Sequence, residues 1–475
     1  MKYKYYLSKL KNKRAFLILL LIVILGFVLR LYHLGTSSLS TDEVLTVLRA
    51  RFSLNELVTS LKVHPPLYYI ILRPWVKIFG NSELAIRFPS LIFSVLSIIF
   101  IFKLAKELFN EKVGLISAFL LSIWPYSINY AQEARPYAIV WFLGTLSFLF
   151  FLRFVKDNKI RSLLSYIITI MISIYTEYLG FIFIIIQNIL FFSFFNNKKQ
   201  SKRWLLGQLA IILLYLPWIK NFLFIAILSK TTPFYSKRTD YFGFLVWLFL
   251  CVTGHWTKPI RISLIEVFLY CFLIISAFVR FKSIKNKKNI LDFSQSDCLL
   301  FSWMVVPIII FYLIEVYFTP ILVPRYFGLI HVPLIILFSK AISKYNIRVK
   351  SMVIFLLFSI SLSLLYPYYK HDLKYNGQDW RGLHEQLRQK AGNNDLIVYV
   401  RGKPVEDYYG KGIEAKSIGR KEFEEIDIDK LNYDSIFFVY TLYKFKEYKI
   451  PELKRYKLEE HIRKYRVGFF RFRKL

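Results

Sequence analysis

Apolar runs of membrane-crossing length recur along this chain, separated by short clusters of Lys and Arg. A helix needs about 20 residues to cross the hydrocarbon layer, and a helix that is apolar all round has no face to offer water. This alternation excludes soluble fold classes and predicts an α-helical polytopic membrane protein. Of the 475 residues, 56% are hydrophobic. A net charge of +34 would suit nucleic acid, but the basic residues lie between apolar runs or in the C-terminal tail. There they read as topology signals, and no nucleic-acid partner is expected.

The amino end, MKYKYYLSKLKNKR before AFLILLLIVILGFVLRLYHLG, has the order of a secretory leader. It reaches spanning length without a small-residue cleavage site, which predicts a retained first helix starting in the cytoplasm. Basic clusters stand at 103–112, 153–161, 196–203, 280–288 and 339–350. All face the cytoplasm if eleven helices span near 16–34, 86–103, 113–130, 137–155, 162–176, 178–195, 204–219, 262–280, 299–317, 326–341 and 351–367. Residues 35–88 then lie outside, and within them PLYYIILRPWVKIFG, opened by prolines and closed by Gly80, predicts a juxtamembrane or shallow re-entrant helix. A second outer loop, 221–261, carries the helical stretch DYFGFLVWLFLCVTGHW.

From about 370 onward apolar density falls and charge rises. DLIVYV (395–400), SIFFVYT (435–441) and VGFFRF (467–472) read as short buried strands, with DWRGLHEQLRQKAG as a helix between them. This divides the chain into a membrane domain, 1–369, and a small α/β domain, 370–475, placed outside by the parity of spans. Cys251, Cys271 and Cys298 have neither metal nor redox spacing.

The topology brings residues from distant parts of the sequence to the outer face, where they can share one site: Asp42, Glu43, His64, Arg87, Glu133, Arg135 and Arg325. Each also has an ordinary reading. Asp42 and Glu43, in STDEVLTVL, offer a general base or a divalent-ion pair, yet an acidic first turn also suits a helix capped by Ser40 or Thr41. His64 in VHPPLYY offers a site contact or simply a hydrogen bond where prolines interrupt the ladder. Arg87 and Arg325 can snorkel at a membrane edge, but isolated outer cations at helix entrances also fit an anionic ligand such as phosphate. Glu133 and Arg135, in YAQEARPYA, can pair with each other.

DE soon after the first helix, then HPPLYY, an RFPS helix start, QEARPYA and a late PRY resemble the prokaryotic members of glycosyltransferase family 39. That group includes protein O-mannosyltransferases and the aminoarabinose transferases of lipid A, all of GT-C architecture. The likeness is strongest over 16–155, extends through Arg325 and Tyr326, and includes DWR at 379–381. It implies an inverting transfer of one sugar from a polyprenyl-phosphate carrier to an extracytoplasmic glycolipid, polysaccharide or protein, by a multi-pass plasma-membrane enzyme in contact with membrane lipids. It makes Asp42 the catalytic base and Glu43 the neighbour that shapes the acceptor site. Arg87, Arg135 and Arg325 become phosphate and sugar contacts, with Glu133 orienting one of them, while His64 matches the family's HPP histidine and joins Tyr326 among the substrate-binding residues. Relatives often carry a histidine where this chain has Glu177 in YTEYLG, so Glu177 enters as a substrate-side residue that leaves sugar and acceptor open.

Charge building on a departing lipid phosphate is met by preplaced arginines, so no cofactor is required, although the adjacent acids leave room for a divalent cation. Three rivals stand beside this reading: a transporter, which would carry charges near span midpoints and a repeat between halves; a GT-C oligosaccharide transferase or ligase with a divalent cation; and a non-catalytic lipid-binding protein.

Overall fold

The computed structural model describes residues 2–60, 64–194, 198–231, 294–321, 323–370, 377–400, 402–426, 431–441, 453–464 and 466–475. The expected span at 262–280, the cluster at 280–288, the DYFGFLVWLFLCVTGHW stretch, Cys251 and Cys271 lie outside these residues. The chain divides into two compact units. The first comprises 1–32, 52–75 and 87–366; the second comprises 33–51, 76–86 and 367–475. The expected boundary at 369/370 assigned all of 35–88 to the membrane domain, whereas here 33–51 and 76–86 group with the C-terminal residues.

The first unit is helical, and helices stand at every expected span within the described residues. They are α1 (Lys2–Leu31), α5 (Glu83–Leu108, which begins in the second unit), the pair α6 (Glu111–Ile123) and α7 (Pro125–Ala131), α8 (Tyr137–Asp157), α9 (Ile160–Thr176), α10 (Gly180–Phe194), α11 (Lys198–Thr231), and helices over Gln295–Tyr317, His331–Ser343 and Ile347–Tyr369. Among the described residues six helices are long and apolar enough to cross a membrane, or seven if the bent α6–α7 pair is one span. The helices at 160–176, 180–194 and 331–343 are apolar but have 17, 15 and 13 residues. The protein is thus a multi-pass membrane protein; of the eleven expected spans ten fall within the described residues, where six helices, or seven with the bent pair, are of spanning length. The PLYYIILRPWVKIFG segment forms α4 (Leu67–Phe79), and Gly80 at φ +78° ends it. Thirteen residues are too few to cross.

Burial orders these helices. In α8, 72% of the most apolar window is buried inside the protein, against 17% in α1 and in α11. Helix α8 is therefore the interior element, while α1 and α11 turn most of their apolar surface outward, as a lipid-facing helix does. A Cβ at Gly144 of α8 would stand 2.2 Å from the Phe183 ring of α10, so only glycine permits this approach. Nearby, Phe148 stacks on Trp303 at 3.8 Å between ring centroids, fixing the 295–317 helix to α8.

The bend of 58° between α6 and α7 has a local cause and a distant support. Pro125 has no N–H to offer Leu121 O, so the break leaves carbonyls short of donors. Arg30, fully buried in α1, supplies them: its guanidinium donates to Leu121 O at 3.0 Å and Ser122 O at 2.9 Å. It also reaches Gly26 O, Ser94 Oγ and Ser127 Oγ. A charge inside hydrocarbon is costly; this one stands among acceptors that the bend exposes.

The second unit carries a five-stranded sheet in the order β2-β1-β3-β5-β4: β1 (Leu396–Tyr399), β2 (Lys416–Gly419), β3 (Ser435–Thr441), β4 (Tyr456–Lys464) and β5 (Val467–Lys474). Strand β1 is parallel to β2 and β3, and β5 is antiparallel to β3 and β4. The three expected strands are β1, β3 and β5. SIFFVYT is buried at every residue, as a continuous apolar run in a central strand should be. The edge strands β2 and β4 escaped notice because KSIG is short and YKLEEHIRK is mostly charged. The expected helix is Trp380–Lys390, capped by Asp379, whose Oδ1 accepts from Gly382 N at 3.0 Å.

Candidate active site

Five of the sequence-selected residues concern the QEARPYA turn and the elements around it, all in the first unit. Gln132 starts the turn and anchors it to the end of α1, its Nε2 donating to Arg30 O at 2.8 Å and Tyr32 O at 2.7 Å. Arg135 N then donates to Glu133 O at 2.8 Å, Ser90 Oγ of α5 donates to Arg135 O, and Pro136 caps α8. Held this way, Arg135 is 7% exposed, and its guanidinium lies 5.7 Å from the centre of the Tyr137 ring. Nη2 of Arg135 reaches the Tyr137 hydroxyl at 3.4 Å.

Arg325 approaches that same ring, also at 5.7 Å. It sits in a 3-10 turn, Pro324–Leu329. Two contacts fix the turn. Tyr126 of α7 donates its hydroxyl to Pro324 O at 2.7 Å. Gly328 lies so close to Trp141 of α8 that a Cβ there would come within 1.9 Å of the indole. Tyr326 stacks on Phe311 at 5.8 Å, so its ring is engaged in packing. Two guanidinium groups thus share one aromatic ring, an arrangement favoured by the ring's negative face.

Glu177 completes the cluster as the C-cap of α9. Burial holds its carboxyl above the ordinary range; Arg135, the Tyr178 N–H and Arg325 oppose that shift. Two guanidinium groups and a carboxyl thus stand around the Tyr137 ring, and the guanidinium fork is the group whose geometry matches an anion such as phosphate. Glu133, in the turn itself, is partly exposed.

The other members of the first unit are His64 and Arg87. His64 is partly exposed and precedes two buried prolines that lead into α4, where Pro66 O accepts from Ile70 N at 3.0 Å. Arg87 is 3% exposed, so it does not extend into its surroundings as a snorkelling side chain would. Its neighbour Phe88 stacks on Trp75 of α4 at 6.0 Å.

Asp42 and Glu43 belong to the second unit, in α2 (Thr41–Ala50). The structure gives these adjacent acids different surroundings. Glu43 is buried and closes a capping box: its Oε2 accepts from Ser40 N at 2.9 Å and from Ser40 Oγ at 3.1 Å, while Ser40 Oγ accepts from Glu43 N. Asp42, at the second helical position, is exposed. A carboxylate there enjoys the positive end of the helix dipole.

Sequence reasoning passed over Tyr137, Arg30 and Gln378. Tyr137 closes the very motif quoted for Arg135, and a lone arginine inside an apolar run was a signal in Arg30. Gln378 had no local signal, because its partner Thr41 is 337 residues away. Among the described residues no group of three or more His, Cys, Asp or Glu side chains could hold a metal ion.

The family model for dolichyl-phosphate-mannose-protein mannosyltransferases matches residues 63–220. The structure of ArnT from Cupriavidus metallidurans in the apo state superposes with a TM-score of 0.61 at 12% identity, covering 97% of this chain and 98% of that one. ArnT from the same organism bound to undecaprenyl phosphate gives 0.57 at 10% identity, covering 95% and 97%. The archaeal oligosaccharyltransferase AglB from Archaeoglobus fulgidus, in complex with an inhibitory peptide and a dolichol-phosphate, gives 0.52 at 12% identity, covering 91% and 70%. No curated protein sequence matches the chain at a significant level.

Proposed function

We propose that this protein, a multi-pass membrane protein similar in fold to ArnT and matched over 63–220 by the mannosyltransferase family model, is a GT-C glycosyltransferase that moves a single sugar from a polyprenyl-phosphate carrier to an extracytoplasmic acceptor, with inversion. The observation that carries this reading is the pair of arginines, Arg135 and Arg325, on the Tyr137 ring with Glu177 beside them. In the reaction the acceptor oxygen attacks the anomeric carbon as the bond from that carbon to the phosphate oxygen breaks. Asp42 takes the hydroxyl proton, and Glu43 fixes the turn that presents it. Negative charge gathers on the departing lipid phosphate, where Arg135 and Arg325 stabilise it, with Arg87 and His64 as further donor contacts. Glu133 and Glu177 orient the arginines, and Tyr326 flanks Arg325. Inversion needs one base only, and of the adjacent acids it is Asp42 that is exposed. We place the protein in the plasma membrane with its amino terminus inside and its C-terminal unit outside, the orientation that the basic clusters between apolar runs suggest.

The test is transfer of label from a panel of radiolabelled polyprenyl-phosphate sugars to a cell-envelope acceptor fraction by protein in lipid nanodiscs. Arg325→Ala should lower kcat/KM about 10- to 100-fold, the worth of one charge-assisted contact of about 1.5–3 kcal/mol. Arg325→Lys should recover little, because a point charge does not replace the guanidinium fork. Unchanged kcat/KM in the alanine variant would remove Arg325 from the donor site. EDTA should change the wild-type rate less than about twofold, since the charge on the phosphate is met by arginines; abolition of transfer by EDTA would move the assignment to a cation-dependent GT-C enzyme.

A further inference from the structure

The segment that carries Asp42 is not held by its own capping box alone. It is also held by residues more than three hundred positions later, and all of these contacts lie within the second unit. Gln378 Oε1 accepts from Thr41 N at 2.9 Å, from Thr41 Oγ1 at 2.8 Å and from Trp380 Nε1 at 2.8 Å. Thr41 N is one of the N–H groups at a helix start that have no partner within the helix, so an amide oxygen from QDWR completes the first turn of α2. On the preceding residues, Ser38 Oγ donates to Gln378 O at 2.7 Å and accepts from Trp380 N at 3.1 Å. Leu39 N donates to Tyr409 OH at 2.7 Å, and Tyr409 OH in turn donates to Glu83 at 3.1 Å. Arg381 pairs with Glu83 as well. Trp380 is wholly buried, and Gly402 packs on its ring so closely that a Cβ would come within 2.6 Å.

We propose that Gln378, Trp380 and Tyr409 are positioning residues for Asp42, so that the C-terminal α/β unit is a working part of the transferase because it fixes where the base stands. The inference rests on Asp42 being the base. Segment 38–41 is tied at Ser38, Leu39 and Thr41, and Asp42 follows directly in the chain. Asp42 stands in the first turn of α2, so its carboxylate takes its direction from the backbone beneath it. Loosening that backbone leaves the donor site intact and misplaces the proton acceptor. A displacement of about 1 Å at a catalytic group can cost on the order of 100-fold.

The experiment compares wild type, Gln378→Leu, Gln378→Glu, Tyr409→Phe and Asp42→Asn in nanodiscs. It reads kcat with the best donor of the panel, the Kd for undecaprenyl phosphate, and amide exchange over residues 38–44. Gln378→Leu should lower kcat about 10- to 100-fold, leave Kd within about twofold and speed exchange at Thr41. Gln378→Glu keeps an oxygen acceptor of the same reach and should return kcat to within about fivefold of wild type. If Gln378→Leu fails to fold, Tyr409→Phe, which keeps the ring and loses only the hydroxyl, should show the same split at about 3- to 10-fold. Wild-type kcat in the folded Leu or Phe variants, with Asp42→Asn inactive, overturns the positioning role alone. Equal falls in kcat and donor affinity overturn it too, as a general structural effect. Full activity in Asp42→Asn, or no transfer by wild type from any donor, removes the catalytic reading and this inference with it.

Discussion

Asp42→Asn should lower kcat by a factor on the order of 10²–10⁴, the usual contribution of a positioned general base, with donor affinity unchanged. The structure separates the two adjacent acids, and that sharpens the expectation. Asp42 is exposed at the second position of α2, where the asparagine variant loses a favourable dipole interaction worth about 0.3–1 kcal/mol. Glu43 is bound to the Ser40 backbone and hydroxyl. Glutamine can close the same box, so Glu43→Gln should cost at most about tenfold in kcat, whereas Glu43→Ala should cost about 0.5–2 kcal/mol of stability through the lost cap. Transfer rates and thermal midpoints on the three variants check this. A large kcat loss in Glu43→Gln, with Asp42→Asn active, would exchange the roles of the two residues.

The capping alternative visible in STDEVLTVL and the base reading therefore do not compete for one residue: each acid has its own surroundings. More generally, what the sequence made legible was whatever depends on local pattern. Apolar runs gave the helices at 83–108, 137–157 and 347–369 nearly to their ends, because spanning length and hydropathy are properties of the run itself. The dense apolar strand SIFFVYT announced itself for the same reason. Edge strand β4 did not, since an edge is kept soluble by charge and so lacks an apolar signature. Three apolar helices proved shorter than a span, which counting runs alone does not reveal. Within the candidate site, Arg135 and Arg325 could be picked as unusual outer cations, but their common partner Tyr137 depends on how the 3-10 turn at 324–329 meets the start of α8. Likewise Gln378 bears on Asp42 only through tertiary contact.

Arg30→Leu should be strongly destabilising to the first unit. The leucine fills part of the volume but removes the guanidinium donors of Leu121 O and Ser122 O, at about 1–3 kcal/mol for a buried carbonyl that loses its partner, and leaves Leu121 O only the longer bond from Trp124 N at 3.4 Å. The remaining hydrogen bonds, to Gly26 O, Ser94 and Ser127, are lost with them. A total of about 3–6 kcal/mol is expected, seen as a fall in the midpoint of thermal unfolding on the order of 5–10 °C in nanodiscs. Arg30→Lys should fall between, because three ammonium donors cannot reproduce the planar fork that spans both helix carbonyls. Lost stability should be accompanied by lost transfer even where the variant remains folded. The α6–α7 bend sets α7, whose Tyr126 holds Pro324 and hence Arg325, and α7 runs on into the turn that bears Arg135. Gln132 grips the backbone carbonyl of Arg30 rather than its side chain, so that tether survives the substitution and the effect reports on the bend itself. A leucine variant with the wild-type midpoint would mean that water satisfies the carbonyls at the break, and Arg30 would then be neither the support of the bend nor a determinant of where the two site arginines stand.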